Sequence, residues 1–460
     1  MLIKRKLRVF IGIASVSAWL VGCAGPTPGS IDSWSVRSGQ RIPIRHDWTA
    51  SVLYNFSGYG PYIPVAALVA DSSGALYGTA QQGGYTGNNL CGQILYSGCG
   101  GVFKLTPSGS GYNGTTLYLF KGGSDGAWPS SPLYLDSRGD IYGTALFGGS
   151  TSCPSSNVRR DVNSRGCGTV YKLTRRGSAY SESTIHVFAG GGDGAEPVAG
   201  LMGDSSGVLY GATSIGGSAD AGTIFNLTPK SGHGKSYEEK VLYAFKGAPK
   251  DGEYPGNTLY MDSKGALYGV TAYGGNACHG TPGCGTVFKL TPKGAKSFKE
   301  EVLYKFRGGN DGAAPMQKEA LIADASGALY GTTSRGGNYA SAYGYGTVFK
   351  LSTKGNRYKA SILYRFQGYP SDGSNPFGGV IADSSGDLYG TTYGGGSNGF
   401  GTVFELSPTG SEYTESMLYS FLANGGPDNP VAGLIERNGT FYGTSELGGA
   451  YYGTAFSISP

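Results

Sequence analysis

Histidine is almost missing from this sequence: four residues in 460, at His46, His186, His233 and His279. They fall in a linker-like stretch, an outer strand, a hairpin and a cysteine-bounded loop. They do not readily converge on a metal or serve as one base, which weakens Ser-His-Asp catalysis, a quinoprotein site and zinc hydrolysis. Helical periodicity is also missing. No stretch of ten or more residues after Thr49 carries an apolar face at helical spacing, so almost no helix is expected. Arginines are scattered, without the cluster a sialidase needs. An excess of one charge is missing as well. The formal charge is +5, and four cations (Lys4, Arg5, Lys6, Arg8) lie in the first eight residues, leaving +1 for the rest. That balance gives no argument for nucleic acid as a partner.

Those four cations precede a short apolar run over residues 9–20, too short to span a bilayer and flanked like a secretory signal. The run ends in Leu20-Val21-Gly22-Cys23, which resembles a bacterial lipobox. The resemblance implies a signal peptide over 1–22 and an acylated Cys23 that anchors the chain to the membrane. No Asp follows the cysteine, which favours the outer membrane. Gly, Pro and Ser recur without hydrophobic period through 23–47 and read as a flexible tether to a domain over 48–460.

What is abundant is repetition. A Tyr-Gly pair recurs at Tyr77, Tyr142, Tyr210, Tyr268, Tyr330, Tyr389 and Tyr442, and two companions travel with it. One is Gly-Thr-Val-Phe-Lys-Leu or a close variant; the other is Leu-Tyr-x-Phe, with Ile185-His-Val-Phe188 standing in once. Each unit holds four short strand-like runs separated by turn signals. Four antiparallel strands in about 58 residues fit a propeller blade better than a coil of a parallel β-helix. The first repeated run is of the outer-strand type (Val52–Phe56) and the last is of the third-strand type (Thr454–Ser457). Pairing them closes a ring and removes two exposed edges. The expected fold is all-β: a seven-bladed β-propeller of four-stranded blades closed by its N-terminal strand. A lysine slot in the third strand (Lys104, Lys172, Lys289, Lys350) also holds Asn226, Glu405 and Ser457, and reads as solvated.

The tandem pattern D-x-x-G-x-L-Y-G-T-T, G-G, G-T-V-F-K-L-T-P, L-Y-x-F resembles the Gloeo/Verruco (GloVer) repeat family of bacterial exported proteins, from about residue 50 onward. The resemblance implies a propeller-like array and varied surface anchors. It brings no activity, cofactor or catalytic residue.

Six cysteines beyond Cys23 form three local pairs: Cys91 with Cys99, Cys153 with Cys167, and Cys278 with Cys284. They occupy the three longest loops between the Gly-Gly and the Gly-Thr-Val-Phe. Even, local pairing in an exported chain implies disulfides rather than a metal site.

Ligand candidates lie on the face formed by the second-to-third and outer-to-inner strand loops. A repeated Asp (Asp125, Asp193, Asp251, Asp311, Asp372, Asp428) could form a carboxylate ring for calcium or a cation. The simpler reading is an Asx turn, because one carboxylate per blade cannot fill a calcium shell. The residue before the Gly-Gly varies: Gln82, Phe147, Ile215, Tyr273, Arg335, Tyr393, Leu447. With Trp128 these could stack a sugar ring, or simply cover the glycine loops. The leading expectation is a non-catalytic surface lipoprotein that binds a glycan or a surface protein without metal or cofactor. The alternatives are a carbohydrate-active hydrolase or lyase using axial carboxylates, and a structural or sensory module.

Overall fold

A computed structural model describes residues 48–460, apart from 85, 88–90, 93–96, 110, 150–152, 154–164, 231–235, 279–281, 295–296, 338–342, 356, 411 and 423–424. The signal segment, Cys23, the tether, His46, His233 and His279 lie outside the described residues. Seven four-stranded antiparallel sheets follow one another around an axis as a seven-bladed propeller. In blade 1 the order from axis to rim is Val69–Ala70, Leu76–Ala80, Gly101–Ser108 and Gly111–Leu119. Blades 2 to 6 cover 134–187, 202–244, 260–305, 322–365 and 381–420.

Blade 7 supplies only three strands in sequence: Ile435–Arg437, Thr440–Ser445 and Thr454–Ser459. Its outer strand is Thr49–Asn55, paired antiparallel with Thr454–Ser459 from Thr49 opposite Ser459 to Asn55 opposite Thr454. The ring therefore closes as the order of the repeats requires.

Each repeated residue has a mechanical reason. The glycine of Tyr-Gly admits the aromatic ring of the adjacent strand: a Cβ on Gly211, Gly269 or Gly390 would lie 2.6 Å from the tip of Phe225, Phe288 or Phe404. The leucine of Leu-Tyr-x-Phe is the extra residue of a β-bulge, skipped by the pairing in every blade; Leu117 in blade 1 and Leu53 in blade 7 are instances. The phenylalanine of that motif then leans into the next blade. It meets the aromatic residue of the neighbour's third strand edge-on, at centroid separations of 4.8–5.2 Å around all seven seams. Such edge-to-face contacts add about 0.5–1.5 kcal/mol beyond burial. Threonines near the axis add a polar stitch. Thr79, Thr144, Thr332, Thr391 and Thr444 donate to carbonyls of the next blade (Ser131, Ala199, Gly378, Ala432 and Ala66).

The turn opposite the ligand face explains the Asp-x-x-Gly-x-Leu-Tyr core. One oxygen of Asp71 accepts the amides of Ser73 and Ala75, and the other accepts the hydroxyl of Tyr77. The lysine slot departs from its reading as solvated. The ammonium groups of Lys104, Lys172, Lys289 and Lys350 sit 4.8–5.1 Å from the ring centres of the Tyr-Gly tyrosines. Lys172 is 5% exposed and 2.8 Å from Asp140. Glu405, in the same slot, instead accepts the Tyr389 hydroxyl at 2.8 Å. Charge at this position is matched to its neighbours, because the long stem lies along an aromatic face.

Candidate axial binding face

The ligand face is organised by seven residues that each precede a proline: Ile63, Trp128, Glu196, Tyr254, Ala314, Asn375 and Asn429. All seven have left-handed backbone, with φ between 50° and 61°. A non-glycine residue adopts that conformation only when its surroundings enforce it. Here the enforcement is inter-blade. Each amide donates to a carbonyl of the preceding blade, as Trp128 does to Cys99 at 2.9 Å and Ile63 does to Tyr452 at 2.9 Å. Several carbonyls also accept from the second strand of their own blade, as Ile63 does from Gln81 at 3.0 Å. The backbone is thus the same seven times, while the side chains differ.

The axis is crossed by an insertion. Pro315 and Asp324 lie nine residues apart, against seven for Pro376 and Asp383 in blade 6, and the extra length carries Gln317-Lys318-Glu319 into the centre. Lys318, 7% exposed, reaches across the ring to donate to the carbonyl of Val65 in blade 1 at 2.8 Å. The Glu319 carboxylate accepts the amide of Gly379 in blade 6 and that of Gly433 in blade 7, the latter at 2.7 Å. A Cβ on Gly433 would lie 2.7 Å from the carboxyl carbon of Glu319, so glycine there makes room for it. Burial raises the Glu319 pKa, opposed by those two amides and Lys318. The insertion joins four blades at one point, and nothing in the sequence had marked it as functional.

The repeated aspartates separate into five and one. Asp125, Asp251, Asp311 and Asp372 accept the hydroxyls of Tyr118, Tyr243, Tyr304 and Tyr364 and a nearby backbone amide, and Asp193 contacts His186 at 3.3 Å. These five hold the loop and the outer strand together, as a turn residue does, and form no carboxylate ring. Asp428 is not their equivalent. It lies two residues before its proline rather than four, and one of its carboxyl oxygens is buried without a partner.

The varying slot is likewise dispersed. Phe147 is 4% exposed beneath Trp128, their ring centres 5.4 Å apart. Tyr273 meets Tyr254 at 5.6 Å, and Arg335 covers Tyr343 at 5.1 Å. Tyr393 corrects the alignment: in the run Gly394-Gly395-Gly396 the left-handed pair is Gly395 and Gly396, so Tyr393 sits one position further in. It shares that inner position with Gln81, Leu146, Ser214, Ala272, Ser334 and Glu446. There it contacts Phe377 at 5.7 Å and packs with Val65, Val431 and Ile63. Burial, then Glu446 and Asp428, raise its pKa. Glu446 is raised by burial and by Asp428, against the opposing effect of Lys318. Tyr393, Asp428, Glu446 and Lys318 therefore form one electrostatic unit over the plug.

A second set of carboxyl groups lines the rim seams. Glu182, Glu239, Glu300 and Glu415 sit in outer strands, half-buried beside Asp125, Asp193, Asp251 and Asp372 of the preceding blade. Burial, with the neighbouring aspartate adding to it, pushes each glutamate up to about 7. A carboxyl raised by folding stabilises while protonated; the contribution is full below the ordinary glutamate value of 4.5 and is lost as pH climbs through about 7. His186 faces Glu239 and partly offsets its shift. Thermal stability should therefore fall from pH 5 to pH 8. Discounted for half exposure, each glutamate contributes roughly 1 kcal/mol, or about 4 in all. Replacing the four glutamates by glutamine should raise the melting temperature at pH 8 and flatten the profile. An unchanged slope by scanning calorimetry would refute the assignment.

Three disulfides join Cys91 to Cys99, Cys153 to Cys167 and Cys278 to Cys284, with Cα separations of 4.9, 5.0 and 5.1 Å. They point to an oxidising, extracytoplasmic setting. Among the described residues no helix is long and apolar enough to cross a membrane, and no group of three or more metal-ligating side chains gathers.

No curated protein matches the chain. Solved structures resemble the chain only distantly. A candidate 6-phosphogluconolactonase of Bacteroides uniformis is 12% identical, covers 79% of this chain and 86% of its own, and has a TM-score of 0.48. A protein of Lactobacillus plantarum is 12% identical over 84% of this chain and 99% of its own, with a TM-score of 0.46. A protein of unknown function from Dyadobacter fermentans is 10% identical over 80% and 96%, with a TM-score of 0.40. Likenesses this distant carry no activity across. The match that identifies the chain is to its repeats: the Gloeobacter/Verrucomicrobia repeat model matches residues 41–281, 157–341 and 277–460, and the chain belongs to that family.

Proposed function

We propose that this chain is a non-catalytic binding scaffold, tethered to the bacterial envelope through an acylated Cys23, whose axial face takes a glycan. The observation that carries the reading is the combination of an insertion across the axis with seven side chains of six different kinds displayed on one repeated backbone. The plug turns the axial end into a floor, and the varied side chains around it can discriminate a ligand without altering the blades. Aromatic side chains at four of the seven seams (Tyr62 with Tyr452, Trp128 with Phe147, Tyr254 with Tyr273, Phe377 with Tyr393) suit sugar stacking.

One observation favours a competing reading. Burial raises the pKa of Asp428 and of Glu446, and Asp428 adds to the rise of Glu446, so two carboxyl groups of this face can stay protonated, as the acid of a glycosidase pair must. A glycan array and a reducing-sugar release assay on the full chain separate the two. Binding without release is expected. Release that disappears in Glu446→Gln would establish the hydrolase instead. A chain that binds no glycan but captures an envelope protein would replace the ligand class. The tether has its own check: labelling with palmitate should vanish in Cys23→Ser, and labelling that persists would remove the anchor.

A further inference from the structure

Among the described residues, four polar atoms at or beside the inner and pre-proline positions are buried without a hydrogen-bond partner: Oδ1 of Asp428, Oε2 of Glu446, Nε2 of Gln81 and Nε1 of Trp128. They belong to three consecutive blades, 7, 1 and 2. Gln81 is only 2% exposed, whereas Trp128, Asp428 and Glu446 reach the surface in part.

Equivalence between blades places these groups side by side. Gln81 and Glu446 occupy the same inner position, the one from which Glu446 senses Lys318 over the plug. Trp128 occupies the pre-proline position. At that position Asn375 and Asn429 each reach back to the inner residue of the preceding blade, donating to the carbonyls of Ser334 and Tyr393 at 2.9 Å. The inner residue that precedes Trp128 in this way is Gln81.

The far side of the ring is different. There the hydroxyls of Ser214 and Ser334 donate to the carbonyls of Glu196 and Ala314 at 3.2 and 2.9 Å, and the inner position of blade 4 is the apolar Ala272. At the inner position, among the described residues, the unpartnered polar atoms belong to blades 7 and 1.

The mixture of groups selects the chemistry. Two of the four atoms belong to carboxyl groups and need donors; the other two are N–H groups and need acceptors. A metal ion or an ammonium group would serve only the first two, and an anion only the second. Hydroxyl groups donate and accept at once. Ile63 and the Tyr393 ring, packed on the buried Val65, supply apolar surface nearby, and the Trp128 indole supplies a face for a pyranose. Two carboxyl groups disfavour an acidic sugar.

We infer that the arc formed by Asp428, Glu446, Gln81 and Trp128 is a subsite for a neutral, polyhydroxylated saccharide. The assignment rests on the axial face being the binding face, as proposed above, and adds where on that face the sugar lies and what charge it carries.

The full chain would be titrated by calorimetry and intrinsic fluorescence with cellohexaose, maltohexaose, laminarihexaose and xylohexaose, and with polygalacturonate as the acidic counterpart. Binding to at least one neutral hexasaccharide is expected. Trp128→Ala should weaken it about tenfold or more, in the range measured for loss of a stacking aromatic anchor. Glu446→Gln and Gln81→Ala should each weaken it several-fold. Trp128→Phe should abolish the fluorescence change on binding. The fold accepts alanine at both positions elsewhere, Ala314 in blade 5 and Ala272 in blade 4, and a melting transition measured for each variant separates lost binding from lost folding. Undiminished neutral binding in all three variants would overturn the arc and leave the axial binding reading standing. Binding confined to polygalacturonate would overturn the charge class. Failure to bind any saccharide would remove both.

Discussion

Deleting residues 48–56 is expected to abolish cooperative folding. Every other seam of the ring is continuous in sequence, but blade 7 is held to blade 1 by the pairing of Thr49–Asn55 with Thr454–Ser459. The deletion removes that ladder. It also removes Phe56, 3% exposed against Phe103 at 4.8 Å, and the stacking of Trp48 on Phe441 at 5.6 Å. Truncating one buried phenylalanine costs about 3–5 kcal/mol, and whole domains are stable by only about 5–15 kcal/mol. The truncated chain would also expose Thr454–Ser459 as an open edge, which invites association. Calorimetry should show loss of the native transition, and gel filtration should show aggregates. Phe56→Ala alone should lower stability by about 3 kcal/mol with the ring intact. A deletion variant that melts like the wild type would refute closure by this strand.

The second large effect is expected at the plug. Glu319→Ala would strand the buried amides of Gly379 and Gly433 and remove one carboxylate beside Lys318. A buried donor left unmade costs about 1–3 kcal/mol, so a loss of about 2–4 kcal/mol is expected for the pair. Glutamine should recover only part of this, because its amide can accept from one of the two N–H groups but offers a donor to the other. Hydrogen exchange gives the specific readout: the Gly379 and Gly433 amides should lose protection more than amides at the rim. Equal protection in Glu319→Ala would mean that the carboxylate is incidental to the axis.

Much of this architecture was legible because it was written seven times. The strand order at the two ends dictated closure. The Tyr-Gly glycine announced a close approach, which is the seat for a ring in the next strand. The short spacing within each cysteine pair fixed the disulfides. The readings that failed were those where a single copy deviates. Asp428 belongs to an aspartate series by composition, but its distance from Pro430 places it elsewhere. Tyr393 was set beside Tyr273 because three consecutive glycines hide which two take left-handed backbone. Lys172 looked like one of several exchangeable surface residues until Asp140 was found beside it. The Gln317-Lys318-Glu319 insertion was visible as two extra residues. Whether such an excess loops outward or enters a channel depends on glycines in two other blades, and no local pattern reports that.

The left-handed residues before each proline have an evolutionary consequence. Their main-chain groups make a joint between blades that is the same whatever the side chain, so residues of very different size and polarity fit the seven places. Isoleucine, tryptophan, glutamate, tyrosine, alanine and asparagine already sit there on one scaffold. Each place is in effect an interchangeable socket. Relatives could acquire new binding preferences one substitution at a time, without crossing a valley of unfolded intermediates.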